Sequence, residues 1–252
     1  MTISYSNRFQ QKDAVAAYEA DEYAADSYAS CIWRLERPVL EQIIMKFRQE
    51  NPSPLRLLDF ACGTGRVLAA LEPLVDEADG IDISENMVAV AQTKCQKARL
   101  QIGDILTRPE LLKKNYDVIS SFRFLLNVEP EMRRRVLCQL RTVLRVPAGL
   151  LLVNVHGNSR SLRHPAILWR RWRERAEQKN TMLNEMSPVE ARQLLAACGF
   201  EIVHQFGFGV LPPTLYRTPL RRIAFAVDKI FAGENRWSFC SIDMLFVCRP
   251  AE

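Results

Sequence analysis

The run Leu57-Leu58-Asp59-Phe60-Ala61-Cys62-Gly63-Thr64-Gly65-Arg66 joins a short apolar stretch to a loop of small residues. Glycines between a strand and a helix let the backbone approach a ligand, and the helix start offers free N–H groups to negative charge. Alone, this pattern announces a nucleotide-like ligand and no more. Asp82 narrows it, because it ends the next apolar stretch about 20 residues on, where a carboxylate accepts both hydroxyls of an adenosyl ribose. A dinucleotide loop would continue Gly-x-Gly-x-x-Gly or Ala. Counted from Gly63 the third position is Leu68, too bulky for that close helix packing.

The candidate general base is His156, directly after the apolar run Gly149 to Val155, because carboxyl ends of parallel strands line the ligand crevice in open α/β sheets. A histidine that merely caps a loop is the equally open alternative. If His156 is the base, turnover should rise with pH through a pKa near that of histidine. Arg123, Asn127 and Asn154 are further candidates for orienting a substrate. Tyr18, Tyr23 and Tyr28 lie on the leading helical segment, where they either close over the ligand or pack ordinarily. Trp169 stands in the basic segment Leu162 to Arg175 (LRHPAILWRRWRER), which reads as an amphipathic cap or as a contact for an anionic surface.

These residues need positioning elements. Residues 13 to 49 read as helical and stop at Asn51-Pro52-Ser53-Pro54. Strands follow at Leu55 to Phe60, Ala78 to Ile83, 99 to 102, Tyr116 to Ser121 and Gly149 to Val155. Helices intervene from Arg66, from the N-cap Ser84, and from Glu129 to Leu144. Strands alternating with helices, several apolar on both faces, predict a parallel sheet covered on both sides. The rhythm breaks over 157 to 186, which reads as an insertion. It resumes with the N-cap Ser187 and Pro188, a helix to Cys198, a strand Phe200 to Phe206, a helix near Leu220 to Phe231 and a strand Phe239 to Val247.

Leu57 to Arg66, with Gly80-Ile81-Asp82-Ile83-Ser84-Glu85-Asn86-Met87, resembles the first two motifs of class I S-adenosylmethionine-dependent methyltransferases, in the small-molecule branch. The resemblance continues through Gly103-Asp104-Ile105, Tyr116 to Phe122 and Leu140 to Gly149, covering residues 55 to 155 in order. It implies a Rossmann-like, seven-stranded, mostly parallel sheet with helices on both faces. It also implies a single domain over 1–252: a helical lid over 1–50, a cofactor-binding core over 55–156, an inserted substrate cap over 157–186, and the rest of the sheet over 187–252. The cofactor would be S-adenosyl-L-methionine and the product S-adenosyl-L-homocysteine. By the same resemblance Ala61, Gly63 and Gly65 pass beneath the methionine part, with Asp59 supporting the loop or the amino group. Asp82 holds the ribose, Ile83 and Met87 pack on adenine, and Asp104 accepts from its exocyclic amine beside Ile105. Ser121 and Phe122 border the methionine end. Two positions depart from the pattern: Ala61 replaces the usual first glycine, which is tolerable if its φ is negative, and Val146-Pro147-Ala148-Gly149 replaces a Pro-Gly-Gly turn.

With 252 residues, about half of them apolar, the chain can bury one sizeable core. Seven scattered cysteines without a Cys-x-x-Cys pair and three dispersed histidines suggest neither a disulfide framework nor a metal centre. Lacking a long apolar run or a secretory signal, the sequence reads as cytoplasmic, with no membrane span. The net charge of +5 is concentrated after residue 155, notably at Arg160, Arg163, Arg170, Arg171, Arg173, Arg175, Arg217, Arg221 and Arg222, and a surplus of that size reads first as a solvated face. The expected acceptor is a small molecule such as a natural-product, sugar or lipid-linked intermediate, methylated at oxygen or nitrogen, and a nucleic-acid partner is not expected. An RNA methyltransferase using the basic half, and a cofactor-binding protein without catalysis, remain the alternatives.

Overall fold

In the computed structural model the described residues are 27–251, apart from 114, 166, 170–171 and 173–183, together with Val15, Glu19 and Ala24. Tyr18, Tyr23 and the arginines at 170, 171, 173 and 175 lie outside them.

Helix α1 (Tyr28–Glu50) starts where the Ser27 hydroxyl accepts the Ser30 N–H at 3.0 Å. It leads into β1 (Arg56–Phe60), α2 (Arg66–Leu71), β2 (Glu77–Asp82), α3 (Glu85–Lys94), β3 (Arg99–Ile102), β4 (Val118–Ser121), α4 (Pro130–Val143) and β5 (Leu150–Val155). After the insertion come α5 (Pro188–Ala197), β6 (Phe200–Phe208), α6 (Arg221–Phe231) and β7 (Asp243–Pro250). Ser84 and Ser187 cap α3 and α5 as the sequence predicts, and Ser187 with Glu190 completes a reciprocal capping box.

The seven strands form one sheet in the order β3-β2-β1-β4-β5-β7-β6. The first five are parallel, and β7 runs antiparallel between β5 and β6. Strand side chains alternate between faces, so each strand feeds two cores. Leu58, Ile119, Leu151 and Val153 pack with Val136, Leu137 and Leu140 of α4 and Ala191 and Leu195 of α5. Leu57, Val118, Leu150 and Leu152 face the other way, against Ile32, Leu40, Ile44 and Phe47 of α1 and Val67, Leu68 and Leu71 of α2. The fold is thus the Rossmann-like, mostly parallel sheet with helices on both faces that the sequence predicts.

Several boundaries shift by a residue or more, the start of the last strand among the furthest. The last strand begins at Asp243 and not at Phe239, because Ser238–Cys240 form a 3-10 turn. The Asn158 side-chain amide donates to the carbonyls of Phe239 (2.7 Å) and Ser241 (2.9 Å), which withdraws those acceptors from strand pairing. No described helix is long and apolar enough to cross a membrane.

Candidate functional site

Because β1 to β5 are parallel, their carboxyl ends share one edge of the sheet, and the sequence-predicted polar residues collect there. The loop after β1 turns through three left-handed residues, Ala61 (φ 55°), Gly63 (φ 54°) and Gly65 (φ 77°). The negative φ expected for Ala61 is therefore wrong. The loop needs the left-handed turn at that position, and Ala61 adopts it at a cost that glycine would avoid. Gly65 is required for packing as well, since a Cβ there would meet Ala91 Cβ at 2.9 Å and Cys95 Sγ at 3.1 Å. Gly63 is different: a Cβ would meet nothing within 4 Å, so that side of the loop is open.

Asp82 ends β2 and ties this loop down. Its Oδ2 accepts the Gly63 N–H and its Oδ1 the Ser84 N–H, both at 2.8 Å. Burial pushes its pKa up, and these backbone donors pull back towards the ionised form. Each carboxylate oxygen retains acceptor capacity after one such bond. Asp59 lies deeper. Its Oδ1 accepts the Ser120 hydroxyl at 2.6 Å, while its Oδ2 is buried without a partner. Burial raises its pKa to about 7, against the Ser120 hydrogen bond and with the Asp82 charge adding to the rise. An orphaned buried carboxylate oxygen costs free energy until a cation or donor reaches it. The Ser121 hydroxyl, at the end of β4, is likewise buried and unpartnered. Together with the open side of Gly63, these groups fit a ligand that carries an ammonium group and a ribose.

The remaining predicted cofactor residues border the same edge. Ile83 is 49% exposed just beyond Asp82, and Met87 is buried with Val15 and Val90 at the start of α3. Asp104 accepts the Leu106 N–H on Oδ1 at 2.9 Å. Ile105 is buried in the core, and Phe122 is half-buried against the α1 and α2 side.

A cavity of about 990 Å³ lies beyond the carboxyl ends of β4 and β5, and its described wall holds none of the predicted cofactor residues. His156, one residue past β5, and Arg123, two residues past β4, form part of its wall, with Tyr28 of α1 and Arg163 of the insertion. Asp243 joins them because antiparallel pairing sets Val155 opposite Met244 and so brings the start of β7 beside His156. Tyr216 forms another wall. Its hydroxyl donates to Asp228, which also accepts from the Val210 (2.8 Å) and Leu211 (3.0 Å) N–H groups, and its ring meets Tyr28 edge-on at 5.1 Å. The Tyr28 hydroxyl is buried without a partner, and burial pushes its pKa well up, with the Asp243 charge adding to the rise.

His156 Nδ1 is buried and unpartnered. Burial, reinforced by the charges of Arg123 and Arg163, lowers its pKa to about 3. That direction runs against the expected acid limb near an ordinary histidine pKa and favours a neutral ring. Behind the cavity, Glu36 of α1 is buried and accepts from Asn154 Nδ2 at 3.0 Å. Its pKa rises to about 7 through burial, Asp243 adding to the rise while Arg66 and Arg123 oppose it.

Of the predicted substrate residues, Tyr28 and Arg123 reach the cavity and Tyr23 lies outside the described residues. Asn127 is not in the described wall, because its amide donates to the Arg123 carbonyl and so holds the left-handed turn at Arg123 (φ 55°). Trp169 also falls outside that wall and is 59% exposed. Within the described part of the 157–186 insertion, only Arg163 lines the cavity. Sequence reasoning passed over Glu36 and Asp243 and read Arg163, Arg217 and Arg222 as solvated. The available signal was an acid inside each apolar pattern: Glu36 among Ile32, Leu35 and Leu40, and Asp243 between Ile242 and Met244.

Residues 32–205 match the family described as a methyltransferase domain. The chain is 27% identical over 232 residues to malonyl-acyl-carrier-protein O-methyltransferase of Bacillus cereus, covering 88% of this chain and 81% of that one. Over 103 residues it is 30% identical to demethylmenaquinone methyltransferase of Leptospira interrogans, covering 38% and 41%. Magnesium protoporphyrin IX methyltransferase of Synechocystis, solved with bound S-adenosylhomocysteine, superposes with a TM-score of 0.63 at 15% identity, over 97% of both chains. Human N-acetylserotonin methyltransferase superposes with a TM-score of 0.58 at 14% identity, over 100% of this chain and 60% of that one.

Proposed function

Because the chain belongs to the methyltransferase-domain family, we propose that it methylates an oxygen or nitrogen of a small-molecule acceptor seated in the cavity at Arg123 and His156. It is an S-adenosylmethionine-dependent methyltransferase. The observation that carries the acceptor reading is that Arg123 and His156, which follow β4 and β5 at the carboxyl edge of the sheet, both line that cavity.

When bound, the cofactor supplies a methyl group on a sulfonium that leaves as a neutral thioether. The protein's task is chiefly to hold the acceptor atom close and aligned and to keep water out. Asp59 Oδ2 would take the ammonium group, with the Ser121 hydroxyl alongside. Asp82 would accept the ribose hydroxyls while the Gly63 and Ser84 N–H groups hold its oxygens in place. The neutral His156 Nδ1 would accept a hydrogen bond from the acceptor and so orient it. With a pKa near 3 it is a weak base, and proximity supplies most of the rate. Asp243 and Glu36 lie near enough to Arg123 and Tyr28 to set the local charge.

The test follows a labelled methyl group in a cell extract separated into low-molecular-weight, protein and RNA fractions. Label should appear in the low-molecular-weight fraction. Ala24→Trp, at an exposed wall position of the cavity, should abolish incorporation while S-adenosylhomocysteine affinity is unchanged. Label in RNA, or full turnover by the blocked variant, would contradict the proposal.

A further inference from the structure

Among the described residues of the acceptor cavity's wall, Arg123, Arg163, Arg217, Arg221 and Arg222 are cationic and Asp243 is the one carboxylate. Arg123 and Arg163 are half-buried and act on His156, whereas Arg217, Arg221 and Arg222 are exposed at the rim. Arg221 and Arg222 also line an adjoining cleft of about 250 Å³ with Arg34 and Phe225. Arg34 is held in that cleft, donating to Cys31 Sγ at 3.2 Å with its guanidinium 4.6 Å over the Phe225 ring. Nearby Asp228 offers little compensation, being taken up by two backbone N–H groups and the Tyr216 hydroxyl.

Cations gathered in one concavity repel each other, and a low-dielectric wall strengthens their combined field. A solvated surface would spread them apart. Here they converge from three segments far apart in sequence: Arg123 from the loop after β4, Arg163 from the insertion, and Arg217, Arg221 and Arg222 from the stretch that joins the 3-10 turn Pro213–Arg217 to the start of α6. The planar guanidinium forks suit carboxylate and phosphate oxygens, which accept two parallel bonds.

We propose that the acceptor is an anion, a small molecule whose phosphate or carboxylate is held by Arg163, Arg217 and Arg222 while the atom to be methylated faces His156. The inference rests on the methyl-transfer reading of the cavity and adds the class of acceptor to it. The rim arginines draw the anion in, and the half-buried Arg163 fixes it next to the reacting end. The same field disfavours cationic amines as acceptors.

The experiment titrates inorganic pyrophosphate and, separately, citrate into protein saturated with S-adenosylhomocysteine, by calorimetry. At least one probe should bind, and the stronger of the two identifies phosphate or carboxylate as the preferred group. Arg163→Gln and the double variant Arg217→Gln/Arg222→Gln should each weaken it about tenfold or more, the loss expected for a charged hydrogen-bond donor. S-adenosylhomocysteine affinity should change less than about twofold, and the exposed control Arg192→Gln should bind the probe as wild type does. Wild-type protein that binds neither probe, or cavity variants that bind as well as wild type, would overturn the proposal. So would protein that binds only anionic phospholipid vesicles, since the arginines would then serve a surface. Failure to bind S-adenosylhomocysteine at all would instead strike the methyl-transfer reading.

Discussion

Gly63 and Gly65 stand two residues apart in the same loop, yet alanine at each should fail in a different way. At Gly65 (φ 77°) a Cβ sits 2.9 Å from Ala91 Cβ and 3.1 Å from its Cα, so backbone strain and a clash against α3 act together. Left-handed strain costs about 1–2 kcal/mol, overpacking adds about 1–3 kcal/mol, and the stiffer unfolded chain returns about 0.4–1 kcal/mol. Gly65→Ala should therefore lose about 1–4.6 kcal/mol, a fall in Tm of roughly 2–18 °C for a domain of this size. At Gly63 (φ 54°) the new methyl meets nothing within 4 Å, so only the strain remains, and the net cost is below about 1.6 kcal/mol. That methyl enters the open side of the loop, where the cofactor is expected. Gly63→Ala should keep Tm within a few degrees of wild type and weaken S-adenosylhomocysteine about tenfold or more. Thermal melting and calorimetry on both variants supply the four numbers. Gly63→Ala with wild-type affinity would place the ligand elsewhere, and an undamaged Gly65→Ala would refute the packing argument.

Ala61→Gly should stabilise the protein by up to about 1.6 kcal/mol, because it removes left-handed strain at φ 55° that outweighs the added unfolded-state entropy; equilibrium denaturation checks the sign. Asp59, held near a pKa of about 7 by burial, should ionise when it receives the ammonium group. S-adenosylhomocysteine binding should then release a proton near pH 6 and none near pH 8, with affinity falling up to about tenfold per unit below pH 7. Calorimetry in buffers of different ionisation enthalpy reads the proton, and Asp59→Asn should abolish both effects. For His156, the pKa lowered to about 3 predicts that, with cofactor saturating, turnover shows no acid limb near pH 6.5 and His156→Ala loses less than about 10²-fold. A limb at that pH that vanishes in the variant would restore the strong-base role.

The cluster of Asp59, the glycine loop and Asp82 at the sheet edge was legible in the sequence because it is local. Asp59 to Gly65 are contiguous, and Asp82 follows one strand later at a spacing that parallel pairing turns into proximity. The left-handed turn at Ala61 was not legible, since a single alanine carries no sign of its φ. The acceptor cavity was legible only in fragments. Tyr28, Arg123 and His156 could be picked out singly, but Arg163, Arg217 and Asp243 reach them through the insertion, a proline-bounded turn and an antiparallel strand. Asp243 depends on β7 pairing with β5, a contact across about 90 residues of sequence that no periodicity announces. Trp169 shows the opposite error: an aromatic in a basic, amphipathic stretch suggested a pocket wall, yet it faces outward.

The central claim is that the glycine loop and Asp82 together clamp the nucleoside. It is tested most directly by titrating S-adenosylhomocysteine into wild-type protein and Asp82→Ala by calorimetry, with a melting curve to show that the variant is folded. Wild-type protein should bind one equivalent, and Asp82→Ala should lose about 1–3 kcal/mol, roughly 5- to 150-fold in affinity. Unchanged affinity in a folded Asp82→Ala protein, or wild-type protein that does not bind, would contradict it.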